Sequence, residues 1–149
     1  MLIKHITGNY KKTQKLGEIF AEQIIKNGLQ KTAIIIGLHG NLGSGKTTFI
    51  QGFAKGLAIK DKILSPTFVI LKRFEITKIT FKNFYHIDCY RLKNEKDILE
   101  LGLKEIILNP ENIVAIEWPE KIKKVLPKKA ITIKFKLIEK NKREIIIKN

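Results

Sequence analysis

Several things are scarce in this sequence, and each scarcity excludes something. Cys89 is the only cysteine, so no internal disulfide can form and a reducing cytoplasm is the simplest setting. As a nucleophile that thiol would need an activating partner, and only His86 lies nearby in sequence, which makes Cys89 a poor candidate. No apolar run approaches the ~18 residues of a membrane span. Ala33 to Ile36, for example, is stopped by Gly37. The N-terminal stretch MLIKHITGNYKK has no signal-peptide h-region. Internal repeats, low-complexity tracts and linkers rich in Gly, Pro or Ser are absent too. The 149 residues are therefore expected to form a single domain over 1–149. A chain of that length can bury roughly 70% of the surface it exposes when unfolded.

Arginine is the other scarcity. Of 29 basic residues only Arg73, Arg91 and Arg143 are arginine, which leaves 26 lysines. The formal net charge of +15 invites a nucleic-acid partner. Arginine, however, is the preferred residue for bidentate phosphate and base recognition. The lysines are spread over every segment, and the apolar positions are crowded with isoleucine, as a codon bias would produce. A generally solvated basic surface is favoured over a dedicated groove. Weak, salt-sensitive contact with tRNA or other RNA is expected from the charge alone.

Periodicity supplies the elements that are present. Residues 13–27 place Leu16, Ile19, Phe20 and Ile24 on one helical face, with Gly28 as a stop. Ala33-Ile34-Ile35-Ile36 reads as a central strand covered on both sides. A helix is expected from Lys46 to Leu57, with Phe49, Phe53 and Leu57 inward. Phe68–Ile76 and Ile79–Asp88 read as two extended segments, joined as a hairpin. Residues 95–108 look helical in two pieces around Gly102, and Ile113–Glu117 is a second buried strand. A short helix over 119–126 precedes Pro127. Ala130–Ile138 and Glu144–Lys148 suggest a closing hairpin. The pattern is α/β with antiparallel additions.

The centre of the sequence carries its strongest signal. "GLHGNLGSGKTTFIQGF", residues 37–53, contains Gly40-x-x-x-x-Gly45-Lys46-Thr47 between a buried strand and an amphipathic helix. Gly40, Gly43 and Gly45 let the backbone bend so that several N–H groups converge on a β-phosphate. The helix start adds its positive dipole end. The Lys46 ammonium is suited to span the β- and γ-phosphates, and the Thr47 hydroxyl to give one ligand to Mg²⁺. The fold expected from this loop is a P-loop NTPase three-layer sandwich with central parallel strands.

A magnesium nucleotide also needs a carboxylate at the end of a neighbouring strand. Glu117 closes Ile113-Val114-Ala115-Ile116, and Asp88 closes Phe84-Tyr85-His86-Ile87. Glu117 is favoured for the metal, directly or through water. Asp88 would then sit at the γ-phosphate, orienting the attacking water or touching the metal. His86 by itself reads as an ordinary strand histidine. No Asn-Lys-x-Asp reads guanine and no Asp-x-x-Gly follows the loop, which argues against a conventional GTPase. A small-molecule kinase remains an alternative, although no segment combines arginines as a lid. A nucleotide-regulated RNA-binding protein is the other.

The motifs line up in a specific order: "GNLGSGKTTFIQG", "SPTF" at 65–68, "YHIDCYRL" at 85–92, "ELG" at 100–102 and "EWPE" at 117–120. Thr13-x-x-Leu16-Gly17 and Leu126-Pro127 extend the likeness over nearly the whole chain. The sequence resembles the TsaE family, formerly called YjeE. The resemblance implies a small cytoplasmic bacterial ATPase required for threonylcarbamoyladenosine at position 37 of tRNA, working with TsaD and TsaB. It implies that ATP and Mg²⁺ are the cofactors and that Gly43, Ser44, Gly45, Lys46, Thr47 and Thr48 hold the phosphates. It further implies that Thr47 and Glu117 serve the metal and that Asp88 acts at the γ-phosphate. Lys46 and Asp88 would be the catalytic pair. Ser65-Pro66-Thr67 resembles a mobile switch segment, and Arg143 matches a basic position that approaches the nucleotide. Where the family's familiar loop reads Gly-Asp-Leu-Gly-Ala-Gly-Lys-Thr, this one has Asn41 and Ser44. Turnover by the chain alone is expected to be slow, because no arginine is evidently placed as a finger.

Overall fold

The computed structural model describes residues 2–64, 70–77 and 80–149. Ser65-Pro66-Thr67 lies outside the described residues. In chain order the elements are β1 (Leu2–Thr7), α1 (Tyr10–Asn27), β2 (Ile34–His39), α2 (Lys46–Gly56), β3 (Leu71–Glu75) and β4 (Asn83–Asp88). There follow α3 (Glu95–Glu100), α4 (Leu103–Leu108), β5 (Asn112–Glu117), a 3₁₀ segment (Pro119–Val125), β6 (Ile131–Glu139) and β7 (Lys142–Lys148).

The strands form one sheet in the order β1-β7-β6-β2-β5-β4-β3. β6, β2, β5 and β4 run parallel through its centre. β3 adds antiparallel to β4 as the expected hairpin, and β7 and β1 extend the other side antiparallel. β1 is an element that the sequence reading did not assign.

Period-two alternation explains the layers. Ile36, Leu38, Phe84, Ile113, Ala115, Ile133 and Phe135 point to one face, where α1 and α2 supply Ala21, Phe49, Phe53 and Leu57. Ile35, Ile87, Val114 and Ile116 point to the other face, against Ile98, Leu103, Ile107 and Ile122 from α3, α4 and the 3₁₀ segment. The result is the expected three-layer α/β sandwich. No helix among the described residues is long and apolar enough to cross a membrane.

α1 differs from expectation in its inward face. Thr13, Gly17, Ala21 and Ile24 are its buried residues, Leu16 and Phe20 are half-buried, and Ile19 is 51% exposed. Small residues win the centre because α1 and α2 touch backbone to backbone. A Cβ at Gly17 would stand 2.2 Å from the Phe49 carbonyl oxygen, and one at Gly52 1.8 Å from that of Gln14. Larger apolar side chains are pushed to the flanks of such a contact. The helix also begins earlier than its apolar pattern, because Asn9 caps it by accepting from the Lys12 N–H at 2.9 Å. The helix packing yields a stability prediction. Gly52→Val should force the two helices apart at a cost of about 1–3 kcal/mol or more. A melting temperature lower by ~5 °C or more is expected, read by circular dichroism. An unchanged melting temperature would contradict the close helix contact.

Candidate nucleotide site

The register of the parallel strands positions the site. Leu38 at the end of β2 is level with Glu117 on β5, and Glu117 is level with Asp88 on β4. By alternation, His86, Asp88 and Glu117 all face the α2 layer. Ligands in open α/β sheets bind outside these carboxyl ends, where successive crossovers diverge.

The chain leaves β2 at His39 and turns through Gly40–Gly45 into α2. Gly43 and Gly45 have φ of 77° and 107°, a region that residues with a Cβ avoid. Gly45 is constrained by space as well, since a Cβ there would stand 2.7 Å from Arg143 Cδ. Among the described residues no side chain caps the start of α2, so the N–H groups of its first turn are open to an anion.

Lys46 opens α2 and is buried. Its ammonium donates to the carbonyl oxygens of Gly40 and, at 3.0 Å, Asn41. It also lies 4.6 Å from the centre of the Trp118 ring. Burial lowers its pKa, and the charges of Glu117, Asp88 and Glu120 oppose that shift. Trp118 adopts a left-handed conformation (φ 60°), uncommon for a bulky residue, which turns the chain directly after Glu117. The Trp118 N–H, donating to the Leu38 carbonyl at 3.3 Å, holds that turn against β2.

Glu117 is 3% exposed. One carboxylate oxygen, Oε2, meets His86 Nε2 at 2.7 Å, and the other, Oε1, accepts from the Thr47 hydroxyl at 3.4 Å. Asp88 is half-buried and accepts from the Tyr90 N–H at 2.9 Å. Burial raises its pKa most, Glu117 adds to the rise, and the Tyr90 N–H, His86 and Lys46 work against it. A cleft of about 510 Å³ is lined by Gly43, Gly45, Lys46, Thr47, Thr48, Asp88, Glu117 and Arg143, together with Leu42, Tyr90, Arg91 and Trp118. Ser44, within the loop, is buried.

Apart from Ser44, the sequence-derived residues are therefore brought together as the lining of one cleft. Two of the three arginines, Arg91 and Arg143, line it as well. Arg91 follows β4 and Arg143 stands on β7, so only the sheet order brings them near the same loop. His86, Tyr90, Arg91 and Trp118 were missed as site residues. One signal for His86 was available: it precedes Asp88 by two residues on a strand and must share its face.

Among the described residues no group of three His, Cys, Asp or Glu could hold a metal unaided. The hard oxygens of Thr47 and Glu117 instead fit Mg²⁺, which takes one or two protein ligands and completes its shell with water and phosphates. Two buried side-chain atoms by the loop, Ser44 Oγ and Arg143 Nε, have no hydrogen-bond partner among the described residues. Both are groups that a phosphate could satisfy.

A family model described as "Threonylcarbamoyl adenosine biosynthesis protein TsaE" matches residues 7–145. The chain belongs to the TsaE family. A TsaE protein of Rickettsia prowazekii (strain Madrid E) is 35% identical over 140 residues, covering 93% of this chain and 90% of that one. One from Bacillus subtilis (strain 168) is 33% identical over 143 residues, covering 96% and 83%. Both are named tRNA threonylcarbamoyladenosine biosynthesis proteins. The crystal structure of Bacillus subtilis YdiB superposes with a TM-score of 0.77 at 28% identity, covering 99% of this chain and 84% of that chain. The fold of this TsaE family member is thus shared over almost its full length.

Cys89, directly after Asp88, is fully buried, and burial with the charges of Asp88 and Glu120 pushes its thiol up to about 12. Thiol-directed reagents at pH 8 should label it only after unfolding, as followed by mass spectrometry. Rapid labelling of the native protein would contradict that burial.

Proposed function

We propose that this chain is a Mg²⁺-dependent ATPase that serves tRNA threonylcarbamoyladenosine formation together with TsaB and TsaD. The observation that carries the reading is the level alignment of Leu38, Glu117 and Asp88 beside the loop that ends in Lys46 and Thr47. The family description and the names of the relatives support the tRNA pathway.

In this reading the N–H groups of residues 43–48 take the phosphate oxygens, and Lys46 leaves its carbonyl partners to lie between the β- and γ-phosphates. Thr47 and Glu117 would hold Mg²⁺, which when bound neutralises charge developing on the phosphate oxygens. Asp88 orients the attacking water in line with the γ-phosphorus. The water oxygen forms the new bond to phosphorus, the bond to the β,γ-bridging oxygen breaks, and the water's proton passes through Asp88 to solvent. Arg143 and Arg91 add positive charge along the cleft. Most of the catalysis is positioning and charge neutralisation.

The test is a phosphate-release assay with and without cognate TsaB and TsaD. Slow release alone and faster release with partners is expected. Turnover of tens per second by the isolated chain would remove partner dependence. Phosphate appearing on an acceptor, and none released free, would favour a kinase. Weak tRNA binding, if present, should collapse by about 0.2 M salt, as electrostatic contacts do.

A further inference from the structure

Glu117 is held from two sides, and the two holds are different in kind. On one side His86, 1% exposed, meets Oε2 at 2.7 Å. A carboxylate oxygen can only accept, so the histidine nitrogen is the donor. On the other side Oε1 is 3.4 Å from the Thr47 hydroxyl, a long and weak contact. The short bond anchors one oxygen and leaves the second aimed at the start of α2.

The competing partner is Lys46. Its buried ammonium feels the charge of Glu117 more than that of any other acid. Yet among the described residues no salt bridge joins Lys46 to Glu117 or to Asp88; Glu117 is bridged to His86. A carboxylate released from His86 could rotate toward the ammonium. It would then occupy the cation intended for phosphate and withdraw an oxygen from Thr47.

We propose that His86 is a positioning residue that holds Glu117 off Lys46 and keeps its second oxygen directed at Thr47, so that the metal pair is set before a metal–nucleotide complex arrives. The strand geometry makes this assignment natural. His86 is level with Ala115 across the β4–β5 pair, two residues short of Glu117 on the same face. Ala115 leaves room for the imidazole to lean along the sheet to the carboxylate. The inference rests on the proposed nucleotide site and deepens it.

The test compares His86→Phe, which keeps a ring but removes the donor, with His86→Gln, whose side-chain amide can replace the N–H. Mn²⁺ binding in the presence of a non-hydrolysable ATP analogue is followed by electron paramagnetic resonance. Analogue binding is followed separately in EDTA by calorimetry. For His86→Phe, Mn²⁺ affinity should fall about 10- to 100-fold, as is typical when the partner of a metal ligand is lost. Analogue affinity in EDTA should fall by a clearly smaller factor, about 2- to 5-fold, since the freed carboxylate competes for Lys46 while the loop N–H contacts to phosphate remain. His86→Gln should recover most of the Mn²⁺ affinity. Wild-type Mn²⁺ affinity in His86→Phe would overturn the inference and leave the nucleotide site standing. Equal losses with and without metal, or no rescue by His86→Gln, would assign His86 a purely structural role and overturn it as well. Absence of analogue binding by the unsubstituted chain would overturn the nucleotide site itself.

Discussion

Lys46→Ala should bind ATP at least about 100-fold more weakly than the wild type. A hydrogen bond to a charged group contributes about 1.5–3 kcal/mol, and 1.4 kcal/mol is a factor of ten in affinity. The Lys46 ammonium would donate more than one such bond to the β- and γ-phosphates. The protein already maintains this cation at a cost, because burial disfavours its charge. Among the described residues, the Gly40 and Asn41 carbonyls and the Trp118 ring attend it. Those carbonyls sit at the loop and can turn to water, so the variant should fold with a melting temperature close to wild type. Calorimetric titration measures the affinity. Trp118 is the only tryptophan, and its ring lies against Lys46, so intrinsic fluorescence gives a second record of binding in the wild type. Unchanged ATP affinity in a folded variant would contradict the phosphate-loop assignment.

Asp88→Asn should bind nucleotide within a few-fold of wild type and lose turnover by about 10²–10⁴, the usual worth of a positioned proton acceptor. The substitution is nearly isosteric, and its amide oxygen can still accept from the Tyr90 N–H, so the turn after β4 should persist. Burial and the neighbouring Glu117 raise the pKa of Asp88, so folding disfavours its ionised form. A neutral side chain removes that strain, and the variant should be as stable as wild type or slightly more so. The same shift fixes the sign of a pH effect. If the ionised carboxylate is the working form, activity should fade on acidification at a higher pH than for an ordinary aspartate. Single-turnover phosphate release across pH, beside calorimetric binding, separates the two steps. Normal turnover in Asp88→Asn would reduce Asp88 to the turn it caps.

The legible part of the site was its chemistry. Gly43, Gly45, Lys46 and Thr47 are contiguous, and each residue type has a local physical role that a linear pattern conveys. Asp88 and Glu117 were recognisable because each ends a short apolar strand. His86 was read as an ordinary strand residue, since its meaning depends on which residue lies across β4 and β5. Trp118 was quoted only as part of a motif, because its left-handed turn over Lys46 is a property of the chain path. Arg143 was expected near the nucleotide only through the family resemblance, and Arg91 not at all, because strand order and not spacing brings them to one cleft.

The fold divides in the same way. Alternation along β2, β4 and β5 and the glycine stops were written in the sequence, because period and backbone freedom are local properties. The inward face of α1 was not. Its apolar stripe pointed to Leu16, Ile19 and Phe20, but contact between helix backbones put Gly17 and Ala21 at the centre and left Ile19 half-exposed. β1 is an edge strand whose pairing with β7 spans nearly the whole chain. The sequence by itself therefore determined the reactive groups and the elements that carry them. Only the tertiary structure decided that residues 46, 88, 117 and 143 share one cleft, because strand order and register arise from long-range hydrogen bonding and packing that no local pattern encodes.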